Sequence, residues 1–467
     1  MPLRRNPKLF SRGSFLLTLA CAPAALAVTL NYGVDAGIGE TDNVNLVNSD
    51  KTSQTMAIAD ADFSLQEQRR LFDVNATGAF SYLDFLQGAY SPELIGRFDG
   101  LARFALIPER LIWVLQDDFG QAQIDPFAPV TPTNRENINY LSTGPDLNLH
   151  LGGLGFLDVT ARYARTEYQV SPFNSNRLSG DVALGRALSA GSSISIQVST
   201  ERVLFENTTV NTDFDRSSAY GHYEIQGSRT EVKADLGATR VDAGETSLTG
   251  PLAKLLLTRT LSAAAKLTFS AGRDITDAGT SFSTLQSGAL GGIGTVGAIG
   301  TGSGGPANPT SPLGAPGATG TIGTIGTVPA AVTSANYTIT YASAGWEYER
   351  NRTTFRLNGQ WEKDAYDGEP LLDLNRGTVQ LSVERKFTPA LSAQLIGSLY
   401  RTDYTNNNYT ETDGLIGAVL TLRAGRNLEV KLRCDHASRV AEGNATGYTE
   451  NRAFLTVGYR PPKAAVH

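Results

Sequence analysis

The residues in this sequence that could most readily take part in a chemical reaction are paired carboxylates. Asp117 and Asp118 are adjacent, and two neighbouring carboxyl groups can act as general acid and base. The residues around them favour a β-strand, on which adjacent side chains point to opposite faces. We therefore do not expect these two groups to share a proton.

A second group of carboxylates has a spacing that places them on one face. Asp60 and Asp62 share a face of one predicted strand, and the predicted hairpins put Asp35 and Asp73 on the adjoining strands. One interpretation is an acidic patch that filters or binds cations. The interpretation we favour is an ordinary hydrated barrel wall, where these carboxylates pair with basic residues. The candidate partners are Arg97, Arg103 and Arg452.

The sequence gives little support for catalysis. Histidine occurs at positions 150, 222, 436 and 467, and no serine is placed convincingly beside any of them. Residues 292–297 match G-x-G-x-x-G, but no strand delivers them to a helix and no acidic residue follows about 20 positions later. We expect no catalytic residue, no cofactor and no metal site. A barrel hydrolase using His150 or His222 is the least favoured alternative.

The N-terminal segment, residues 1–27, has the arrangement of a cleavable secretory signal. Four basic residues precede an apolar run, which ends at Ala25-Leu26-Ala27. Removing these four basic and no acidic residues takes the formal net charge from −6 to −10. An acidic chain with scattered basic residues has no electrostatic footprint for nucleic acid. Cys434 is then the single cysteine, so no internal disulfide is expected.

The remaining chain repeats one pattern from end to end, and we find no linker between differently composed halves. Val28 to Glu40 alternates apolar and polar residues over thirteen positions. Soluble sandwich strands run about five or six residues, whereas a tilted bilayer-spanning strand takes about nine to eleven. The last strand, Asn451 to Arg460, alternates likewise and resembles, imperfectly, the terminal insertion signal of outer-membrane barrels. The mean hydropathy of −0.17 fits such alternating strands.

Short and long breaks alternate along the chain, as tight turns and longer loops do in outer-membrane barrels. Nine short breaks, with both termini on one side, predict an all-β transmembrane up-and-down antiparallel barrel of twenty strands, and eighteen is equally arguable. The short breaks are 68–70, 108–110, 152–155, 189–191, 227–229, 262–264, 350–352, 388–390 and 425–427. We expect one barrel over 28–460, with periplasmic termini and a periplasmic tail at 461–467.

One segment departs from this rhythm. Residues 286–335 are rich in Gly, Thr and Ala and carry no charge. We expect a long flexible external loop, and the alternative is a loop that folds into the pore or caps it.

The polar faces of the predicted strands carry both signs of charge, which suits a hydrated neutral or weakly charged solute better than a bare ion. We take these side chains as candidate lumen-lining residues. They are Asp35, Asp60, Asp62, Asp73, Arg97, Asp99, Arg103, Arg162, Arg356, Glu362, Glu384, Lys386, Lys431, Arg433 and Asp435.

Two short motifs suggest a family. Residues 39–44 after the first strand, and Pro108 to Leu111 leading to Trp113 and residues 117–119, resemble the β-barrel porins associated with exopolysaccharide and PEP-CTERM (exosortase) systems. The resemblance covers nearly the whole chain after the signal, with the Gly-rich segment as a departure. It implies a non-enzymatic component of a Gram-negative outer membrane, a conduit for extracellular polysaccharide. The implied partners are outer-membrane lipid, the barrel-assembly machinery, polysaccharide and periplasmic export components.

The sequence leaves two further interpretations open. A structural or adhesive surface protein would use the barrel only to anchor its external loops. A barrel hydrolase is the third and least favoured hypothesis.

Overall fold

The computed structural model describes residues 29–286, 333–443 and 446–461. These residues form twenty β-strands of 12 to 17 residues and one α-helix. The strands are β1 (Thr29–Thr41), β2 (Gln54–Gln68), β3 (Phe72–Phe85), β4 (Glu93–Ile107), β5 (Leu111–Gln123), β6 (Arg135–His150), β7 (Gly155–Tyr168), β8 (Ser175–Ser189), β9 (Ser192–Phe205), β10 (Phe214–Gln226), β11 (Thr230–Ala243), β12 (Thr246–Ser262), β13 (Ala265–Thr276), β14 (Tyr337–Arg350), β15 (Thr353–Tyr366), β16 (Leu374–Lys386), β17 (Leu391–Tyr404), β18 (Tyr409–Ala424), β19 (Leu428–Gly443) and β20 (Tyr448–Tyr459). The helix α1 (Ala278–Gln286) follows β13, and a 3-10 helix, Pro370–Leu372, precedes β16.

The strands form one closed antiparallel barrel. Each strand pairs with its sequence neighbours, and β1 pairs with β20 to close the sheet. Closure leaves no open sheet edge. At the closure, Gly37 lies across from Thr456, and a Cβ on Gly37 would lie 2.1 Å from the carbonyl oxygen of Leu455. The expected fold class and the count of twenty strands are confirmed.

The nine expected tight turns all join consecutive strands at one end of the barrel, the same end at which β1 starts and β20 ends. We call this the turn end and the opposite end the loop end. Several turns contain residues with positive φ, such as Gly153 at +55° and Gly425 at +80°, which glycine adopts without steric cost. Connections at the loop end are mostly longer, including 42–53 and 124–134.

The two faces of the sheet differ as the period-two pattern requires. Exposed apolar side chains such as Leu236 (73% exposed) and Ile416 (70% exposed) lie on the outer face. Charged side chains lie on the inner face, where they contact strands that are not their neighbours. Lys431 of β19 reaches Asp35 of β1 across the intervening strand, for example. The polar faces of the strands therefore face the barrel interior.

The helix α1 was not expected from the sequence. It ends at the first residue of the Gly-rich segment, 286–335, that we predicted as an external loop or a pore cap, and most of that segment, 287–332, lies outside the described residues. The same holds for the predicted signal at 1–27, the G-x-G-x-x-G match at 292–297 and residues 462–467 of the predicted tail. Within the described ranges no helix is both long and apolar enough to span a membrane.

Candidate solute path through the barrel

The strand register places all fifteen candidate lumen residues on the interior face. Asp35 lies across from Asp60 in β2, and each further pairing carries this face from strand to strand around the barrel to β20 and back to β1. Asp99 of β4 and Arg356 of β15, for example, occupy interior positions by this register. That a solute passes along these residues stays a prediction.

The expected acidic patch is ion-paired, but not with the expected partners. Asp35 pairs with Lys431, at 3.3 Å, and with Arg460, which also lies 2.9 Å from Asp62. The Asp35 side chain is fully buried, and Lys431 is 5% exposed. Barrel closure brings β19 and the end of β20 close to β1. The sequence analysis did not predict these pairs, because their members are far apart in the sequence.

Two of the three predicted partners of this patch, Arg452 and Arg97, lie elsewhere in the interior. Arg452 instead lies 3.4 Å from Asp435. Arg97 lies two strands from β2, and its charge acts on Asp99 of its own strand. Arg103 lies directly across from Asp73, as the favoured interpretation requires. Within the described part of the chain, the two side chains do not form an ion pair.

The adjacent carboxylates at the centre of β5 do point to opposite faces. Asp118 is fully buried in the interior, where it lies across from Asp99 and accepts a hydrogen bond of 2.7 Å from Gln116. Asp117 is on the outer face, beside Asn139 of β6. The interior carboxyl pair is therefore Asp99 with Asp118, which the sequence analysis did not identify because the two residues are on different strands.

At the loop end, a buried ionic cluster holds the start of α1 inside the barrel. Asp277, just after β13, pairs with Arg177 of β8 and Arg216 of β10. Thr280 of α1 accepts hydrogen bonds from both arginines, at 3.0 and 2.8 Å, and donates one of 2.6 Å to Asp277. Burial opposes ionisation of Asp277, but the two guanidinium groups outweigh it and hold its pKa well below the usual range.

Two further contacts extend the attachment of α1 across the mouth. Phe282, 2% exposed, packs in one cluster with Ile138 of β6 and Tyr168 of β7. The hydroxyl of Ser281 lies 2.6 Å from that of Tyr337 in β14. The helix thus contacts walls on both sides of β13 and narrows the loop end of the interior. The residues that hold α1 in place come from strands far apart in the sequence, so their contacts with the helix could not be predicted from sequence alone.

The interior wall beside α1 is also densely packed. Tyr337 and Tyr366 stack with ring centroids 4.7 Å apart, and both are nearly fully buried. Four strands further around the barrel, the Arg439 guanidinium donates to Asp413 at 2.7 Å in another buried pair. The loop-end half therefore holds most of the buried polar and aromatic side chains.

The turn-end half is more open. A cavity of about 700 Å³ lies against β6 to β10, and its lining includes His150, Phe156, Ser195, His222 and Glu224. His222 side-chain exposure is 20% and that of Glu224 is 34%, against 3% for Asp277 at the other end. The interior beside β6 to β10 is therefore more open at the turn end than it is beside Asp277 at the loop end.

The register corrects one expectation about histidines. Ser195, His222 and Asp235 lie directly across from one another on β9, β10 and β11, and His222 Nδ1 lies 2.5 Å from Asp235 Oδ1. Ser195 Oγ, however, accepts a hydrogen bond from Gln197, and His222 Nε2 lies 3.9 Å from a carboxylate oxygen of Glu224. A serine nucleophile needs that nitrogen within hydrogen-bond reach, so this geometry does not favour the hydrolase hypothesis.

The outer face carries basic residues near both ends of the barrel. At the loop end they stand three positions before the last residue of six successive odd-numbered strands, and all are exposed except Arg165, which is half-buried. This loop-end basic row consists of Arg165, Arg202, Arg240, Arg273, Lys363 and Arg401. A turn-end basic row on even-numbered strands consists of Arg186, Arg259, Arg350 and Arg385. The apolar outer band lies between these rows.

Comparison with known proteins gives a likeness of fold. No family model matches the sequence, and no curated protein matches it. Among solved structures, the FrpB iron transporter from Neisseria meningitidis aligns with a TM-score of 0.43 at 9% identity, covering 92% of this chain and 81% of that one. The siderophore receptor PirA from Acinetobacter baumannii gives 0.45 at 7% identity, covering 92% and 80%.

A mutant of the ferric enterobactin receptor PfeA from Pseudomonas aeruginosa gives a TM-score of 0.45 at 10% identity, covering 94% of this chain and 81% of that one. Scores and identities this low carry no argument about what the chain does. The conclusion from fold and geometry is a closed, twenty-stranded antiparallel barrel with an apolar outer wall and a charged interior.

Proposed function

We propose that this protein is an outer-membrane barrel whose hydrated interior conducts a polar solute, wide at the periplasmic side and narrowed by α1 at the external side. A closed barrel satisfies every strand hydrogen bond internally, which is the condition for a sheet to cross lipid. The tight turns, the start of β1 and the end of β20 then face the periplasm, as in other barrels of this kind.

The observation that carries the membrane location is the constant separation of the two basic rows. Arg186 lies across from residue 155 of β7, ten positions before Arg165. Arg259 lies across from residue 230 of β11, ten positions before Arg240. Arg385 lies across from residue 353 of β15, ten positions before Lys363.

Ten residues rise about 33 Å along a strand, or about 25 Å along the barrel axis for a tilt of about 40°. This is the height of the apolar band of an outer-membrane barrel. Basic side chains at its two borders can extend their charged ends to the headgroups while their stems cover apolar surface.

The charges of the interior support the proposal of a path for a hydrated solute. Basic and acidic side chains both lie there, and many of them form ion pairs. Opposed charges hydrate the wall without creating a strong field for one ion sign. We propose extracellular polysaccharide as the cargo, with export components on the periplasmic side. This choice rests on the resemblance of residues 39–44 and 108–119 to porins of exopolysaccharide systems.

The test is reconstitution of the purified barrel in liposomes and planar bilayers. We expect ion conductance and the release of trapped neutral oligosaccharides, with smaller oligosaccharides released faster. A barrel that inserts and still remains closed in both measurements contradicts the channel function.

A second candidate function is a barrel that conducts no solute and only anchors external loops. The buried ionic attachment of α1 in the mouth of the barrel favours it. It predicts no conductance from the intact protein and none after release of α1. Surface binding of whole cells would then depend on residues 288–329, and cells with these residues deleted should lose it while retaining the barrel.

A further inference from the structure

The loop-end basic row is more regular than strand stability requires. Its members occupy the same position, three residues before the strand end, in β7, β9, β11, β13, β15 and β17. The corresponding residues of β1, β3 and β5 are Ile38, Tyr82 and Gly120. The row therefore covers one continuous arc of the outer wall.

Three members of the row, on β7, β15 and β17, lie two residues further along the outer face than a large apolar or aromatic side chain. These side chains are Tyr163, Trp361 and Leu399, which are 46 to 52% exposed. Alternate strands lie about 10 Å apart, so two neighbouring long side chains can converge on one group between them. The row thus meets any surrounding lipid at the upper border of the apolar band.

Acidic residues form a second layer above this row. Glu167, Asp242 and Asp403 each stand two positions beyond a row member, on the same outer face. Arg165 Nε donates to Glu167 at 2.6 Å and Arg240 Nε donates to Asp242 at 2.9 Å. From the membrane outwards, the order is therefore apolar, basic, acidic.

These pairs leave donors free. A guanidinium has five N–H donors, and one carboxylate engages about two of them. The side chains of Arg202 and Arg240 are 65% and 60% exposed. Remaining donors on the membrane side of each carboxylate can bind a second anion, and phosphate oxygens suit the geometry of arginine.

We infer that the loop-end basic row binds the phosphate groups of lipid headgroups in the external leaflet. The arginines and Lys363 donate to the phosphate oxygens, and the carboxylates above compete for the same donors. This inference rests on the membrane location proposed above, because only a barrel inserted at this height brings the row to the phosphate layer.

The test compares how much of each lipid the wild-type full chain and its variants retain after purification in detergent. Native mass spectrometry measures the retained lipid. The probes are phosphatidic acid, which carries a phosphate monoester, and phosphatidylcholine, whose headgroup has no net charge. The row variant replaces the five exposed members of the loop-end basic row, Arg202, Arg240, Arg273, Lys363 and Arg401, with Gln. The control variant replaces the four arginines of the turn-end basic row with Gln.

We expect the row variant to bind phosphatidic acid at least about tenfold more weakly. The control variant should change less, since that row has fewer members on more widely spaced strands. A variant with Glu167→Gln, Asp242→Asn and Asp403→Asn should bind phosphatidic acid more tightly, because the competing carboxylates are gone. A role of the arginines in strand stability alone predicts no such gain.

Unchanged retention in the row variant, or retention of phosphatidic acid no greater than that of phosphatidylcholine, overturns the inference. Displacement of the lipid by millimolar inorganic phosphate would assign the row to free phosphate and also overturn it. Failure of the wild-type barrel to insert into liposomes would instead refute the proposed membrane location, so the two failures are distinguishable.

Discussion

Replacing Asp277 with Asn should release α1 from the mouth of the barrel. The side chain is 3% exposed and lies between the two guanidinium groups of Arg177 and Arg216. Removing one partner of a buried ion pair costs about 3 to 5 kcal/mol, because the remaining charges are left buried without compensation. Since about 1.4 kcal/mol is a tenfold change in equilibrium constant, the undocked population of α1 should rise at least about a hundredfold.

Two measurements follow this change. Hydrogen exchange of the α1 amides should accelerate by about the same factor, and the conductance of the barrel in planar bilayers should increase. The matched control is Asp413→Asn, which breaks the equally buried pair with Arg439 on a wall that α1 does not touch. This control should lower barrel stability and leave α1 exchange unchanged. Equal exchange in the wild type and the Asp277 variant would refute the role of this cluster in holding α1.

Three further predictions concern closure and pH. Gly37→Ala should destabilise the barrel, because the new Cβ would lie 2.1 Å from the Leu455 carbonyl oxygen. The control Gly377→Ala should not, because no atom lies within 4 Å of the new Cβ. Equal melting temperatures of the two variants would contradict this. Asp35→Asn should lower the temperature at which the barrel unfolds in a heat-modifiability gel, because two cationic partners lose their counter-charge; an unchanged transition would contradict it. The lowered pKa of Asp277 means that its contribution to docking is fully present above about pH 3.9 and is lost only as the pH falls through the folded-state value. Exchange of α1 should thus remain slow at pH 4, and a release midpoint near the pKa of a free aspartate would count against the cluster.

The strands and their faces were predictable from sequence because alternation is a local property. Asp99, Arg356 and Lys431 each lie between apolar neighbours, and every such residue that we selected lies on the interior face. The tight turns were equally local, since each is a break of three or four residues in the alternation. These features predicted eighteen or twenty strands without any knowledge of pairing partners, and the structure has twenty.

The contacts inside the barrel were not predictable in the same way. Asp35 and Arg460 are 425 positions apart and meet only when β20 closes on β1. Asp277 and Arg177 are 100 positions apart and meet only because α1 turns inwards. The helix itself, A-G-T-S-F-S-T-L-Q, is made mostly of small and β-branched residues. Its apolar stripe, Ala278, Phe282 and Leu285, is too short to predict a helix. Tertiary packing of Phe282 and the ionic cluster stabilise it.

The central claim is that the apolar face of these strands contacts lipid and the charged face lines a hydrated interior. Single spin labels on cysteines introduced along β11, at residues 233 to 238 in a background without other cysteines, test it directly in reconstituted membranes. Labels at Ala234, Leu236 and Ala238 should be more accessible to oxygen, which concentrates in the hydrocarbon. Labels at Lys233, Asp235 and Gly237 should be more accessible to a water-soluble nickel complex. The reversed alternation, or equal access to nickel on both faces, would contradict the account.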